Sequence, residues 1–177
     1  DLLGDVPGVN IGGGPRAISQ EPNIRGFDDD QVVIRVDGAP QTFNAGHRGR
    51  FFTDPEALKR VEVLRGGAST LYGSGAMGGV IALETKDAED YLDAGETFGG
   101  RVGGAWSSQG NEFLAHGAAA ARWDRFDAMG FLSWRPMGSD LEDGDGASIL
   151  NSEIDAQSAI AKLGFEPNAA NRFEASW

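Results

Sequence analysis

The stretch LYGSGAMGGVIALET, residues 71–85, decides how the chain reads. Gly73-Ser74-Gly75-Ala76-Met77-Gly78 is a literal G-x-G-x-x-G. In a dinucleotide-binding loop a buried strand feeds the first glycine. A helix then starts at the last, so that its N-terminal N–H groups face the pyrophosphate. Here Ala68-Ser69-Thr70-Leu71-Tyr72 precedes the glycines and is polar rather than strand-like. Val80-Ile81-Ala82-Leu83-Glu84-Thr85 follows them, short and without helical period, and reads as a strand. The glycines are therefore structural, and a nucleotide site is not expected.

Working outward, residues 1 to about 96 are irregular and glycine-rich. Asp1-Leu2-Leu3 reads as the tail of a helix. Gln31-Val32-Val33-Ile34-Arg35-Val36 predicts a strand, closed by the turn signal Asp37-Gly38. Thr53-Asp54-Pro55-Glu56 predicts a short helix, with a capping oxygen, proline in the first turn and an acid at the positive end. Val61-Glu62-Val63-Leu64 returns to strand, and Arg65-Gly66-Gly67 ends it.

From about residue 97 apolar and polar residues alternate. Phe98, Gly100, Val102, Gly104 and Trp106 share one face. Phe113, Ala115, Gly117, Ala119, Ala121 and Trp123 share the next, opposite Glu112, His116 and Arg122. Phe126, Ala128, Gly130, Leu132 and Trp134 follow, then Ala159, Ala161, Leu163 and Phe165, then Phe173, Ala175 and Trp177. Such alternation makes a sheet with one apolar face. A soluble sandwich also shows it, but two details favour a membrane barrel. Phe113 and Trp123 lie ten residues apart, which at ~3.3 Å per residue and ~45° tilt gives about 23 Å of height between two aromatic girdles. The residues between are Ala and Gly, which suit lipid contact and would leave a sandwich core underfilled. The connections run Ser108 to Gly110 (short), Asp124-Arg125 (very short), Pro136 to about Glu153 (long) and Pro167 to Asn171 (short), as the short turns and longer loops of such barrels do. Five such strands cannot close, because the smallest outer-membrane barrels have about eight.

Composition narrows the function. The chain has 177 residues, 27 glycines, no cysteine and a net charge of −12. The charge argues against a nucleic-acid surface, which is basic. The glycine share, about twice the usual, fits turns and flat sheet. No apolar run approaches the ~18 residues of a transmembrane helix. No Ser-His-Asp, Cys-His or metal-hydrolase spacing stands out, so no enzyme is expected. The start at Asp1 reads as a cut or processed end.

Leu2-Leu3 with Pro7-Gly8-Val9, Pro22-Asn23-Ile24-Arg25-Gly26-Phe27, Val36-Asp37-Gly38, Arg60-Val61-Glu62-Val63-Leu64-Arg65-Gly66, Leu71-Tyr72-Gly73 and Gly78-Gly79-Val80-Ile81 resemble, in order and spacing, the plug domain of TonB-dependent outer-membrane receptors. The resemblance implies an α+β plug over 1–96 and, over 97–177, the first ~5 antiparallel strands of a 22-stranded transmembrane β-barrel. It implies a ligand bound outside the cell and passed inward when TonB, contacting a segment upstream of Asp1, remodels the plug. It also implies outer-membrane lipid around the barrel, and structural roles for Gly26, Gly38, Gly66, Gly73, Gly75, Gly78 and Gly79 as tight turns or close approaches. Arg25, Glu62 and Arg65 would pair with one another or with the barrel wall; ordinary surface charge is the alternative.

GHRGRFFTDPEALKRVEVLRG, residues 46–66, followed by STLYGSGAMGGVIALET, residues 69–85, is similar to the haem and haemoglobin receptor branch. There a histidine in the external tip of the plug ligates haem iron. The matching residue is His47, in Ala45-Gly46-His47-Arg48-Gly49. A neutral imidazole is a good iron ligand, and Arg48 and Arg50 would pair with haem propionates. The alternative is an ordinary exposed loop histidine. Haem is thus a transported ligand rather than a tightly bound cofactor, and a ferric siderophore or other nutrient is the alternative cargo. A soluble, secreted β-rich binding module is the alternative class. His116 would line the barrel lumen. Asp28-Asp29-Asp30 and Asp140-Leu141-Glu142-Asp143-Gly144-Asp145 miss the EF-hand spacing and read as solvated acidic loops.

Overall fold

The computed structural model describes residues 3–4, 6–13, 21–42 and 53–177. The chain divides into two compact units, Asp1–Thr85 and Lys86–Trp177. The first unit contains strands β1 (Val9–Gly12), β2 (Glu21–Ile24), β3 (Val32–Val36), β4 (Ala39–Pro40), β5 (Leu58–Arg65) and β6 (Gly79–Thr85), with a one-turn helix α1 (Ser69–Tyr72) before β6. β1 and β2 form an antiparallel pair; the other four make a mixed sheet in the order β4-β3-β6-β5. β3 runs parallel to β6, and β5 antiparallel to it. The small mixed α+β sheet matches the sequence reading.

The β-branched run of β3 and β6 explains their central place, because a parallel pair is covered on both faces and reads as continuous apolar sequence. Val32, Ile34, Ile81 and Leu83 face one way and pack with Leu3, Val9 and Ile24. Val80 faces the other way and packs with Ala68 and Ala76, with Val33 alongside. Two hairpin turns carry positive φ at both central residues, Arg25-Gly26 and Asp37-Gly38, as a two-residue turn matched to strand twist requires.

Two expectations change. Asp54-Pro55-Glu56 does start a helical turn, with the Asp54 carboxylate accepting the Glu56 N–H at 3.0 Å. The turn is a single 3-10 turn, Pro55–Ala57, and the chain is a strand from Leu58 onward. Pairing with β6 and the branched Val61 and Val63 win over the helix start. The stretch 68–72, read as polar rather than strand-like, carries α1 over Ser69–Tyr72. Leu3 lies in a turn whose carbonyl accepts from Val6; Asp1 and Leu2 lie outside the described residues.

The glycines behind the false nucleotide motif have steric reasons. A Cβ on Gly79 would overlap the Leu64 carbonyl oxygen, and one on Gly78 would overlap the Phe27 side chain. β6 starts at Gly79, so a strand rather than a helix follows the motif.

The second unit is a five-stranded antiparallel meander in the order β13-β12-β9-β8-β7, with β7 (Phe98–Ser107), β8 (Glu112–Trp123), β9 (Phe126–Pro136), β12 (Asp155–Asn168) and β13 (Asn171–Ser176). A small hairpin of β10 (Leu141–Glu142) and β11 (Ser148–Ile149) stands in the long connection between β9 and β12. The alternation predicts the faces correctly, but their burial is the reverse of a water-soluble sheet. The apolar face is exposed: Phe98 71%, Val102 87%, Trp106 65%, Leu132 66% and Phe173 63%. The opposite face is buried and carries Asp127, Ser133 and Lys162 among Leu114, Ala120, Met129 and Phe131. Trp123, Phe126, Phe165 and Phe173 fall opposite one another across β8, β9, β12 and β13. Phe126 stacks on Phe165 at 4.7 Å and on Trp123 at 6.1 Å. Trp106, Phe113 and Trp134 lie toward the other end of the sheet. The stretch from Asp87 to Leu92 packs on the inner face, with Ala88 buried and the Tyr91 carbonyl against Gly99.

Gly79→Ala should destabilise the first unit by about 2–3 kcal/mol, because the added methyl has only backbone to displace. Gly67→Ala, with open space around it, should be near neutral. Limited proteolysis of residues 1–85 reads the difference; equal susceptibility of the two variants would refute the steric account.

Candidate functional site

The haem-ligand candidate His47 and its neighbours Arg48 and Arg50 lie outside the described residues, as does all of 43–52. What the structure gives is the two ends of that stretch. On the way out, β4 pairs antiparallel with β3, and the next residue, Gln41, donates its N–H to the Ile34 carbonyl at 2.8 Å. On the way back, Asp54 and Ala57 are buried, and the Asp54 carbonyl takes the Ala57 N–H at 3.0 Å. Both ends are hydrogen-bonded to regular structure of the first unit.

Cations surround this sheet. Arg35, on β3, donates to the Gly38 carbonyl through both Nε and Nη2, and its guanidinium lies 5.8 Å over the Tyr72 ring. On the edge strand β5, Arg60 reaches Glu84 of β6 at 2.6 Å and Glu62 at 3.2 Å. The Glu84 hydrogen bond, and then the charges of Glu62 and Glu84, hold Arg60 above its ordinary range. This pair stays exposed, so it contributes little to stability.

Arg25, Glu62 and Arg65 do not gather into one ion-pair set. Glu62 faces Arg60, and Arg65 donates to the Pro7 carbonyl at 2.5 Å. Arg25 holds its N–H on the Gly8 carbonyl at 3.1 Å and lays its side chain against Gly8, beside Arg65. The separation of Glu62 from Arg65 follows from the strand period, because residues three apart point to opposite faces. That signal was present in the sequence once β5 is drawn through Arg65. Arg60, which takes the acid instead, belongs to the same motif.

The acidic stretches use their carboxylates on the chain itself. Asp140 accepts from the Ser152 N–H at 2.8 Å and from its hydroxyl at 3.2 Å. Asp143 accepts from the N–H groups of Asp145 and Ala147, each at 2.9 Å. His116 lies on the inner face of the meander, stacked on Phe131 at 6.3 Å. Among the described residues no group of His, Cys, Asp or Glu is placed to hold a metal ion.

Comparison with known proteins agrees with this architecture. A curated relative from Haemophilus influenzae, Heme/hemopexin utilization protein C, is 36% identical over 99% of this chain, which spans 24% of that relative's length. The structure of the FrpB iron transporter from Neisseria meningitidis superposes with a TM-score of 0.85 at 30% identity, over 99% of this chain and 27% of that one. The Serratia marcescens hemophore receptor HasR, solved as a double mutant with its hemophore HasA and heme, superposes with a TM-score of 0.86 at 26% identity, over 99% and 28%. This chain therefore spans about a quarter of each protein it matches. Residues 1–80 match the model of the TonB-dependent Receptor Plug Domain, and this first part of the chain belongs to that family.

Proposed function

We propose that the chain is the plug, residues 1–96, and the first barrel strands, residues 97–177, of a 22-stranded outer-membrane receptor that takes up haem. Haem or a haem protein binds outside the cell, and TonB, acting on a segment upstream of Asp1, remodels the plug so that haem reaches the periplasm. The observation that carries the membrane reading is the reversed sheet. Its aromatic and aliphatic face is exposed while Asp127 and Lys162 are buried on the other, which water disfavours and a lipid boundary rewards. The similarity of the whole chain to a protein named for heme and hemopexin utilization supports the cargo. A ferric siderophore or another nutrient is the second reading, supported by the likeness to a named iron transporter.

His47 is the proposed axial ligand, with Arg48 and Arg50 toward the propionates. A glycine-flanked, polar stretch contributes little to a core, so His47→Ala should change stability by no more than about 0.5 kcal/mol. Haem affinity should fall, because an axial imidazole is one of at most two protein bonds to the iron. Only the neutral imidazole ligates, so binding weakens as pH drops through the ~6.5 of an ordinary histidine. Absorbance titration of the full-length receptor with haem, at about pH 7.5 and about pH 5.5 on either side of that value, tests this. If wild type and variant give the same spectrum and affinity at both, His47 is a bystander and the siderophore reading takes precedence.

The membrane reading has its own test. Ala119 is exposed at mid-strand, where an arginine at the bilayer midplane would cost about 2–4 kcal/mol. Ala119→Arg should reduce the receptor found folded in the outer membrane, whereas Ala119→Leu should insert normally. Equal insertion of the two variants would favour a soluble module.

A further inference from the structure

Two carboxylates grip the chain on either side of Lys86, each within its own unit. Upstream, the Asp37 carboxylate accepts from the Thr85 N–H at 2.8 Å and from the Thr85 hydroxyl at 2.5 Å. Thr85 is buried at the last position of β6. Asp37 sits in the β3–β4 turn and also donates its own N–H to the Leu83 carbonyl at 2.9 Å, so turn and strand end are tied together. Downstream, the Asp87 carboxylate accepts from Lys162 Nζ at 2.7 Å. Lys162 is 5% exposed on the inner face of β12, with Glu174 of β13 farther off at 3.6 Å. Asp87 is itself fixed: its N–H donates to Asp90 at 2.8 Å, and its carbonyl takes the Asp90 N–H at 3.1 Å.

The second grip is conditional. An ammonium buried among apolar side chains is costly unless an anion meets it. The nearer of its two carboxylates comes from the stretch 86–97, so the shortest ion pair of this buried ammonium is made with that stretch. The division of the chain into units falls at the same junction, between Thr85 and Lys86.

We propose that Asp37 and Lys162 hold the two sides of this junction independently, making it a mechanical stop. Residues up to Thr85 rearrange as part of the first unit, while 87–97 stay clamped to β12. Remodelling of the first unit then ends at Lys86 and does not peel the following stretch off the sheet. This inference does not depend on which cargo is carried.

Hydrogen exchange by mass spectrometry on the full-length receptor in detergent micelles tests it. Asp37→Ala should raise exchange in peptides covering Gly79–Thr85 by about tenfold or more and leave 87–97 within about twofold of wild type. Lys162→Met should do the reverse. Should Lys162→Met fail to fold, Asp87→Asn, which keeps an oxygen for Lys162 but removes the charge, provides the same readout. Loosening that crosses Lys86 in either variant would overturn the proposal, as would unchanged exchange at both segments.

Discussion

The parallel pairing of Val32–Val36 with Gly79–Thr85 is the constraint on which the first unit rests. Parallel neighbours cannot be joined by a tight turn; the chain must leave the end of β3, travel back and re-enter alongside it. Everything between Val36 and Gly79 is that excursion. β4, the stretch carrying His47, β5 and α1 are all parts of one long crossover. The re-entry point is crowded, since β6 begins where its backbone passes the Leu64 carbonyl and the Phe27 side chain. That crowding explains why two glycines stand there. The same geometry fixes the two ends of the stretch that carries the candidate site, at Gln41 and at Asp54, beside β3 and β6, whose branched side chains fill the core.

The second unit has the burial pattern opposite to that of a sheet in water. A sheet in water buries its apolar face, and here Val102, Leu132 and Leu163 face outward while Asp127 and Lys162 are buried. Each buried charge has a partner within the unit. Arg172 meets Asp127 at 2.6 Å and Glu166 at 3.0 Å, and Lys162 meets Asp87. Pairing of this kind lets a polar inner face exist without orphaned charge. Small residues at Gly117, Ala119, Gly130 and Ala161 keep the outer face smooth between the aromatic rows.

Much of this was legible in the sequence because strand period two is a strong signal and the β-strands here are long. The faces of β7, β8, β9 and β12 follow directly from it, as do the turns at Asp37-Gly38 and Asp124-Arg125. Boundaries decided by pairing were not legible. Asp54-Pro55-Glu56 carries a true helix-start chemistry, yet only one 3-10 turn forms because β6 offers Leu58–Arg65 a partner. Nor does local pattern announce contacts between distant residues. Asp37 with Thr85, and Asp87 with Lys162, are separated by dozens of positions, and nothing in the local pattern around any of the four names its partner. For Glu62 and Arg65 the strand period sets the two side chains on opposite faces of β5, which leaves the barrel wall or solvent as their alternatives. For His47 the sequence offers a chemical type and a flanking pattern, and the described residues fix the ends of its stretch.

The two units differ in how their order is distributed, and that difference bears on the proposed transport. In the meander, Asp155 to Phe165 stays in register with Pro136 to Phe126 without a break, and Phe98 to Ser107 does the same with Ala121 to Glu112. Opening any part of such a ladder exposes neighbouring pairs, so it behaves as one cooperative body. In the first unit the ladders are shorter: β5 meets β6 over Leu58–Arg65 with a register shift, β3 meets β6 over Val32–Val36, β1 meets β2 over Val9–Gly12, and β4 meets β3 at two positions only. Its described core is a small cluster of Leu, Val and Ile around β3 and β6. Short ladders around a small core open locally at lower cost than the long ones. On the proposed reading of the two units as barrel wall and plug, a wall that holds and a plug that yields are what passage of a ligand requires. The grading of stability follows from strand length and core size, before any contact with ligand or energy source is considered.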